Sequence, residues 1–228
     1  MPVLKENSYG KSCVRLTKVV RHGAHHDLME MSVDISLGGD FAASYESGDN
    51  SKVIATDSMK NTVYVLAKER SFASIEEFAV QLARHFVQTY EQVQQAAISI
   101  SQTAWARLGN HPHAFIDGGA ERRICRAVLT GDKLELTGGV ADLRFLKTTG
   151  SEFSGFVTDR YRTLPDAADR IFATSVEAVW AYKSESVDFN GTFTAARAAL
   201  IQTMADHHSL AVQQTLLEMG NAVLKVCP

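Results

Sequence analysis

Between Met29 and Leu37 every second residue is apolar: Met29, Met31, Val33, Ile35 and Leu37 alternate with Glu30, Ser32, Asp34 and Ser36. A period of two is the signature of an extended strand with one wet face, because successive side chains point to opposite sides of a sheet. Val14, Leu16, Lys18 and Val20 alternate in the same way just before it, and the stretch from His22 to Asp27 reads as the connection of a hairpin. An antiparallel pair at the start of the chain restricts the fold to one built outward from a sheet.

The period then changes. After Thr56-Asp57 come Met59, Val63 and Leu66, and after Ser74-Ile75-Glu76-Glu77 come Phe78, Leu82 and Phe86, both at helical spacing. Ser74 and Glu77 are spaced as a capping box, in which each side chain satisfies the free backbone N–H of the other. Ala96–Ser101 and Ile124–Leu129 read as strands again. The order is strand, strand, helix, helix, strand, strand. Leu134–Leu146, interrupted by Gly138-Gly139 as if for a bulge or turn, and Phe172–Tyr182 open a second round of strands. One helix follows from about Thr192, carrying Phe193, Ala196, Leu200 and Met204. Another, with Ser209 as its N-cap, carries Val212, Leu216, Met219 and Val223. The expectation is an α+β chain of two tandem ββααββ units, residues 1–132 and 133–228, with the last two strands of the second unit missing and the chain a fragment.

Composition excludes several classes. A net charge of −3 provides no basic footprint for nucleic acid, and no apolar run reaches the roughly 20 residues that span a bilayer. The N-terminus lacks the apolar core of a signal peptide. Cys13, Cys125 and Cys227 are scattered without metal-ligand spacing, which suits a reducing interior, and the cytoplasm is the expected setting. His22, His25, His26, His111, His113, His207 and His208 are clustered, but none falls into a paired-ligand motif, so surface or hairpin positions are expected and no metal.

Several segments carry residue types suited to a flat, anionic, hydrogen-bonding heterocycle. Thr56-Asp57 stands at the mouth of a helix, where free N–H groups attract anions, although Thr56 could equally be a plain cap. Lys11 begins a strand beside Gly10; it is either a solvated lysine or, if desolvated, a base. Phe153, in the glycine-punctuated loop Lys147–Phe156, is either core or a stacking ring. Arg170, close to Asp166 and Asp169, is either a surface ion pair or a planar fork that grips a ligand. Val212-Gln213 again places an amide side chain at a helix start.

Tyr9-Gly10-Lys11-Ser12, Gly48–Ser51, Thr56–Tyr64, His111-Pro112-His113-Ala114-Phe115, Leu146–Ser151, Asp169-Arg170 and Val212-Gln213 together resemble the urate oxidase (uricase) family, in order and spacing along the whole chain. Arg162, where the family usually has threonine, and Ala211, where serine is common, are mild departures. The resemblance implies the tunnelling fold (T-fold), antiparallel sheets with pairs of helices on one face. It also implies a homotetramer with each site shared between two subunits: Thr56 and Asp57 from one, Phe153, Leu164, Arg170, Val212 and Gln213 from its neighbour. In that picture Phe153 stacks on the purine and Arg170 and Gln213 grip its polar edge. Backbone N–H groups of Asp57 and Val212 complete recognition, Leu164 lines the pocket, and Lys11 with Thr56 relays a proton. The urate dianion then reacts directly with dioxygen, the co-substrate, giving hydrogen peroxide and 5-hydroxyisourate with no cofactor. The family's third relay group, a histidine, and an oxygen-holding asparagine belong to a motif expected beyond residue 228. The alternatives are an inactive purine-binding remnant and a T-fold enzyme acting on a pterin-like heterocycle. In a eukaryote the expected compartment would be the peroxisome.

Overall fold

A computed structural model describes residues 4–227. The alternating segments form β1 (Ser8–His22) and β2 (His25–Gly39), an antiparallel hairpin whose last pair is His22 with His25. Gly23 makes the two-residue turn at φ +66, the left-handed region that glycine enters without a Cβ clash. The short α1 (Ala42–Glu46), then α2 (Thr56–Glu69) and α3 (Ile75–Thr89), lead to β3 (Val93–Arg107) and β4 (Phe115–Thr130). After these come β5 (Lys133–Lys147), β6 (Phe172–Tyr182), α4 (Phe189–Asp206) and α5 (Val212–Val226). The sheet runs β1-β2-β3-β4-β5-β6 in chain order, with β1 to β5 antiparallel. The fold is α+β, as the succession of periods predicts.

Packing divides the chain into two compact units. One comprises the chain up to Ala141 with Val179–Glu185; the other comprises Asp142–Ala178 and the chain from Ser186 onward. In the first, registry places Val33 opposite Ile100, Ile35 opposite Ile98 and Leu37 opposite Ala96, and the rows continue to Cys125, Ala127 and Leu129 on β4. All of these side chains are buried. Helix α3 packs on β3 and β4 and inserts Ile75, Phe78, Leu82 and Phe86, while α2 packs on β1 and buries Met59, Val63 and Leu66. Each such large apolar side chain contributes about 1.5–3 kcal/mol on leaving water.

Local expectations meet three corrections. At α3 the Ser74 hydroxyl accepts from the Glu77 N–H at 3.2 Å, but the Glu77 carboxylate reaches one residue further back, to the Ala73 N–H at 2.8 Å. Gly138-Gly139 makes neither a turn nor a break: β5 passes straight through. Gly138 instead leaves room for Tyr182, whose hydroxyl would lie 2.7 Å from an added Cβ. Finally, Ser209 is not the cap of the last helix. Ala211 precedes α5 in extended conformation, and the buried Ser209 hydroxyl accepts from Thr215 Oγ1 at 2.8 Å. In the second unit α4 and α5 pack on each other, and α4 begins at Phe189, where the Asp188 carboxylate accepts from the Gly191 N–H. No helix among the described residues is long and apolar enough to cross a membrane.

Candidate functional site

The candidate residues fall into two groups, each assembled within its own unit. The first is built on β1 and the start of α2. Gly10 passes so close to β2 that a Cβ there would lie 1.8 Å from the Ile35 carbonyl oxygen. That approach seats Tyr9 and Lys11, which share a strand face two residues apart. The Tyr9 hydroxyl accepts from the Ile54 N–H at 2.7 Å and donates to the Ile54 carbonyl at 3.1 Å, holding the segment that enters α2. Burial raises the Tyr9 phenol above its ordinary pKa, the Ile54 backbone bond offsetting it in part, so it stays protonated.

Helix α2 starts at Thr56 with Ala55 as N-cap, and no side chain caps it. Thr56 is therefore not the cap that its position suggests; it occupies the first helical position with its hydroxyl exposed. The first intrahelical bond runs from the Met59 N–H to the Ala55 carbonyl, so the N–H groups of Thr56, Asp57 and Ser58 have no partner in the helix. They point toward whatever approaches the helix end, the arrangement that favours anions. The Asp57 carboxylate turns aside to Lys60 at 2.6 Å and Asn61 at 2.9 Å. Its pKa is lowered mainly by Lys60, with smaller contributions from Asn61 and from the charge of Lys11. Lys11 is exposed.

The second group is organised by Ser151. Its carbonyl accepts from the Arg170 N–H at 2.7 Å, and its strand-like bridge to Ser209 joins the loop to the entry of α5. The Glu152 N–H donates to Ser209 O at 2.8 Å, and Phe153 exchanges two backbone bonds with Ala167. Asp169 locks the same turn: it accepts from Thr149 Oγ1 at 2.6 Å and from the N–H groups of Gly150 and Ser151 at 2.9 and 3.3 Å. Its pKa is lowered, first by the Thr149 hydroxyl and then by these N–H donors. Phe153, Arg170 and the start of α5 are thereby carried by one interlaced set of backbone bonds.

Their side chains face each other as well. The Arg170 guanidinium carbon lies over the Phe153 ring, 5.0 Å from its centroid, and Phe156 stacks on Phe153 at 4.4 Å with the rings 11° from parallel. Arg162 covers Phe156 at 4.1 Å and pairs with Asp166 at 2.9 Å. Arg170 itself makes no ion pair among the described residues, which removes the surface-pair reading, and its Nε is buried without a hydrogen-bond partner. A buried guanidinium N–H left unpaired is costly unless an acceptor meets it. Val212 and Gln213 open α5 with exposed side chains and with N–H groups free of helical partners, since the first helical bond is Thr215 N–H to Ala211 O. Leu164 is about half exposed on the loop between Phe153 and Ala167.

Sequence reasoning quoted Tyr9 and Asp169 within motifs but gave neither a role in building these groups. A phenol two residues from Lys11 on one strand face was the available signal for Tyr9; nothing local showed what Asp169 holds, since its partners lie 18–20 residues back. The clustered histidines are hairpin and loop residues, while His85 lies within α3. His22 and His25 approach Asp27 at 3.4 and 3.6 Å, and His26 bonds through its N–H to the Pro112 carbonyl. Among the described residues no group of three or more His, Cys, Asp or Glu side chains is arranged to hold a metal ion.

The uricase family model matches residues 7–128 and 136–228. The chain is 42% identical to the uricase of Arthrobacter globiformis over 226 residues, which is 99% of this chain and 74% of that protein. It is 36% identical to the uricase of Danio rerio, over 96% of this chain and 77% of that one. The crystal structure of Arthrobacter globiformis uricase superposes with a TM-score of 0.96, over all of this chain and 79% of the other. A uricase structure from Bacillus fastidious, 22% identical, shares the fold with a TM-score of 0.88.

Proposed function

We propose a division of labour among these residues from the premise that this chain belongs to the uricase family, and so is an oxidoreductase that oxidises urate. The fold is that of the tunnelling-fold enzymes it superposes on. The observation that carries the assignment is the Phe153–Arg170 pair, a ring and a guanidinium 5.0 Å apart, with the buried Arg170 Nε awaiting an acceptor. A flat anion with acceptors on its edge fits both, by stacking on the ring and by accepting from the fork.

In this reading Phe153 stacks on the purine, Arg170 and Gln213 grip opposite sides of its polar edge, and Leu164 lines the pocket. The N–H groups of Asp57 and Val212, both at helix starts, complete the recognition of negative charge. Arg170 favours the ionised substrate, and Lys11 with Thr56 removes its proton. The electrons that reduce dioxygen come from the urate dianion, so no organic cofactor or metal is required. Urate, dioxygen and water become 5-hydroxyisourate and hydrogen peroxide.

Thr56 and Asp57 belong to one compact unit, and Phe153, Leu164, Arg170, Val212 and Gln213 to the other. The proposed site joins the first group of one protomer to the second group of a neighbour in a homotetramer built from the repeats 1–132 and 133–228. Three free cysteines suit the cytoplasm, or a peroxisome in a eukaryotic cell.

The test is to incubate the purified chain with urate in aerated buffer containing a chelator. Loss of urate's ultraviolet absorbance with one peroxide per urate is expected. Urate bound without turnover would leave recognition and remove the oxidation from this chain. Turnover abolished by the chelator would overturn the cofactor-free reading.

A further inference from the structure

We propose that Tyr9 is a positioning residue for the Lys11–Thr56 pair, its hydroxyl setting the separation between β1 and the first turn of α2 by holding both backbone groups of Ile54. This deepens the proposed function and rests on the roles given there to Lys11 and Thr56.

The geometry is a substitute for a strand ladder. Residues 53–55, which lead into α2, belong to no strand, so no neighbouring backbone satisfies Ile54. One phenol does: it accepts from the Ile54 N–H at 2.7 Å and donates to its carbonyl at 3.1 Å, across 45 residues of sequence. Ile54 is two residues before Thr56, and Tyr9 is two residues before Lys11 on the same strand face. The phenol therefore links the two relay groups by equal short arms.

The link is rigid at both ends. The Tyr9 ring meets the buried Phe41 edge-on at 4.8 Å, and the Ile54 side chain is itself buried. Backbone pairing is regular from Ser8 to Lys11, and the register shift of the hairpin falls only after Lys11. Close approach at Gly10 keeps this part of β1 against β2. The charge of Lys11 is felt at the Asp57 carboxylate, so the strand and the helix start are within electrostatic reach of each other. Removing the hydroxyl leaves the Ile54 N–H and carbonyl unpaired in a partly buried place, and the entry to α2 is then free to move relative to Lys11. Proton transfer between two side chains requires hydrogen-bond reach, about 2.6–3.2 Å, so a small displacement is amplified in rate.

The experiment compares steady-state urate oxidation by the full chain and by Tyr9→Phe, Phe41→Leu, Lys11→Met and the double variant Tyr9→Phe/Lys11→Met. Tyr9→Phe is expected to lower kcat by about tenfold to a hundredfold, with KM changed less than about threefold. Phe41→Leu loosens the ring contact but keeps the hydroxyl, and is expected to lower kcat less than Tyr9→Phe does, at equal or greater loss of thermal stability. In the Lys11→Met background, Tyr9→Phe is expected to have no further effect on kcat, because the group it positions is gone. An unchanged kcat in Tyr9→Phe overturns the proposal. So does an equal loss in Phe41→Leu, or a full Tyr9 effect persisting without Lys11, since either marks a general structural role. If Lys11→Met alone turns over like the parent, the relay reading itself fails, whatever Tyr9 does.

Discussion

Arg123, on β4, donates to both oxygens of Glu76, in the first turn of α3, at 2.7 Å from Nη2 and 3.2 Å from Nε, and Glu76 has no solvent-exposed surface. The pair ties the first turn of α3 to β4. It does so at a cost: burial pushes the Glu76 carboxyl above the ordinary carboxylate range, and the Arg123 charge only partly restores it.

Breaking this pair from one side is expected to be expensive. Arg123→Met leaves a buried carboxylate without its partner and should cost about 3–5 kcal/mol in urea unfolding at neutral pH. A loss below about 1 kcal/mol would mean that the sheet, not the pair, seats α3.

The pH dependence has a definite sign. A carboxyl whose folded pKa is raised stabilises fully below its unfolded pKa, near 4.3 for glutamate, and that contribution is lost as pH rises through the folded value. The stability of the parent chain relative to Glu76→Gln should therefore decline as pH rises from about 4 and level off once Glu76 is ionised. A difference that grows with rising pH would show that Arg123 outweighs desolvation.

Asp169 should behave in the opposite direction. Its pKa is lowered by the Thr149 hydroxyl and by the N–H groups of Ser151 and Gly150, so its contribution is present above the unfolded aspartate value and fades as pH falls through the folded one. The advantage of the parent over Asp169→Asn is expected to vanish in acid. Because Asp169 holds the turn that carries Phe153, the variant should also raise KM for urate at neutral pH; an unchanged KM would detach Asp169 from the site.

Arg170→Lys tests the fork. A lysine keeps the charge but loses the planar donors that lie over Phe153 and the buried Nε. Steady-state kinetics should show kcat/KM down by about tenfold to a hundredfold, chiefly through KM. Retention of parental KM would reduce Arg170 to a point charge.

Gly10→Ala is expected to cost about 3 kcal/mol or more and to abolish turnover in whatever folds, because its Cβ would collide with a strand backbone that cannot step aside. A thermal melt within a degree or two of the parent would contradict this.

What could be read in the sequence was whatever is encoded by neighbours along the chain. The Met29–Leu37 alternation, a hairpin turn within the His22–Asp27 stretch and the helical rows of α2 and α3 appear where periodicity puts them, because burial of one face is a local pattern with a fixed repeat. Helix α5, by contrast, buries Thr215, Met219 and Val223 and leaves Val212 and Leu216 of the expected stripe exposed. The candidate side chains were named by their resemblance to a family's motifs, and their identities needed no coordinates.

Decisions that depend on a distant partner were invisible. Gly138 reads as a break until Tyr182, from β6, is found above it, and Ser209 reads as a cap until its hydroxyl is found paired with Thr215. Thr56 reads as a cap until Ala55 takes that place. Sequence by itself determined the strand and helix order and the residue types offered for binding a flat anion, because these follow from short-range periodicity and side-chain chemistry. Only tertiary structure decided which groups are held together: Phe153 with Arg170 through Ser151, and Tyr9 of β1 with Ile54 at the entry to α2. Hydrogen bonds and close approaches between segments tens of residues apart depend on register and packing, and neither leaves a mark at either end of the contact alone.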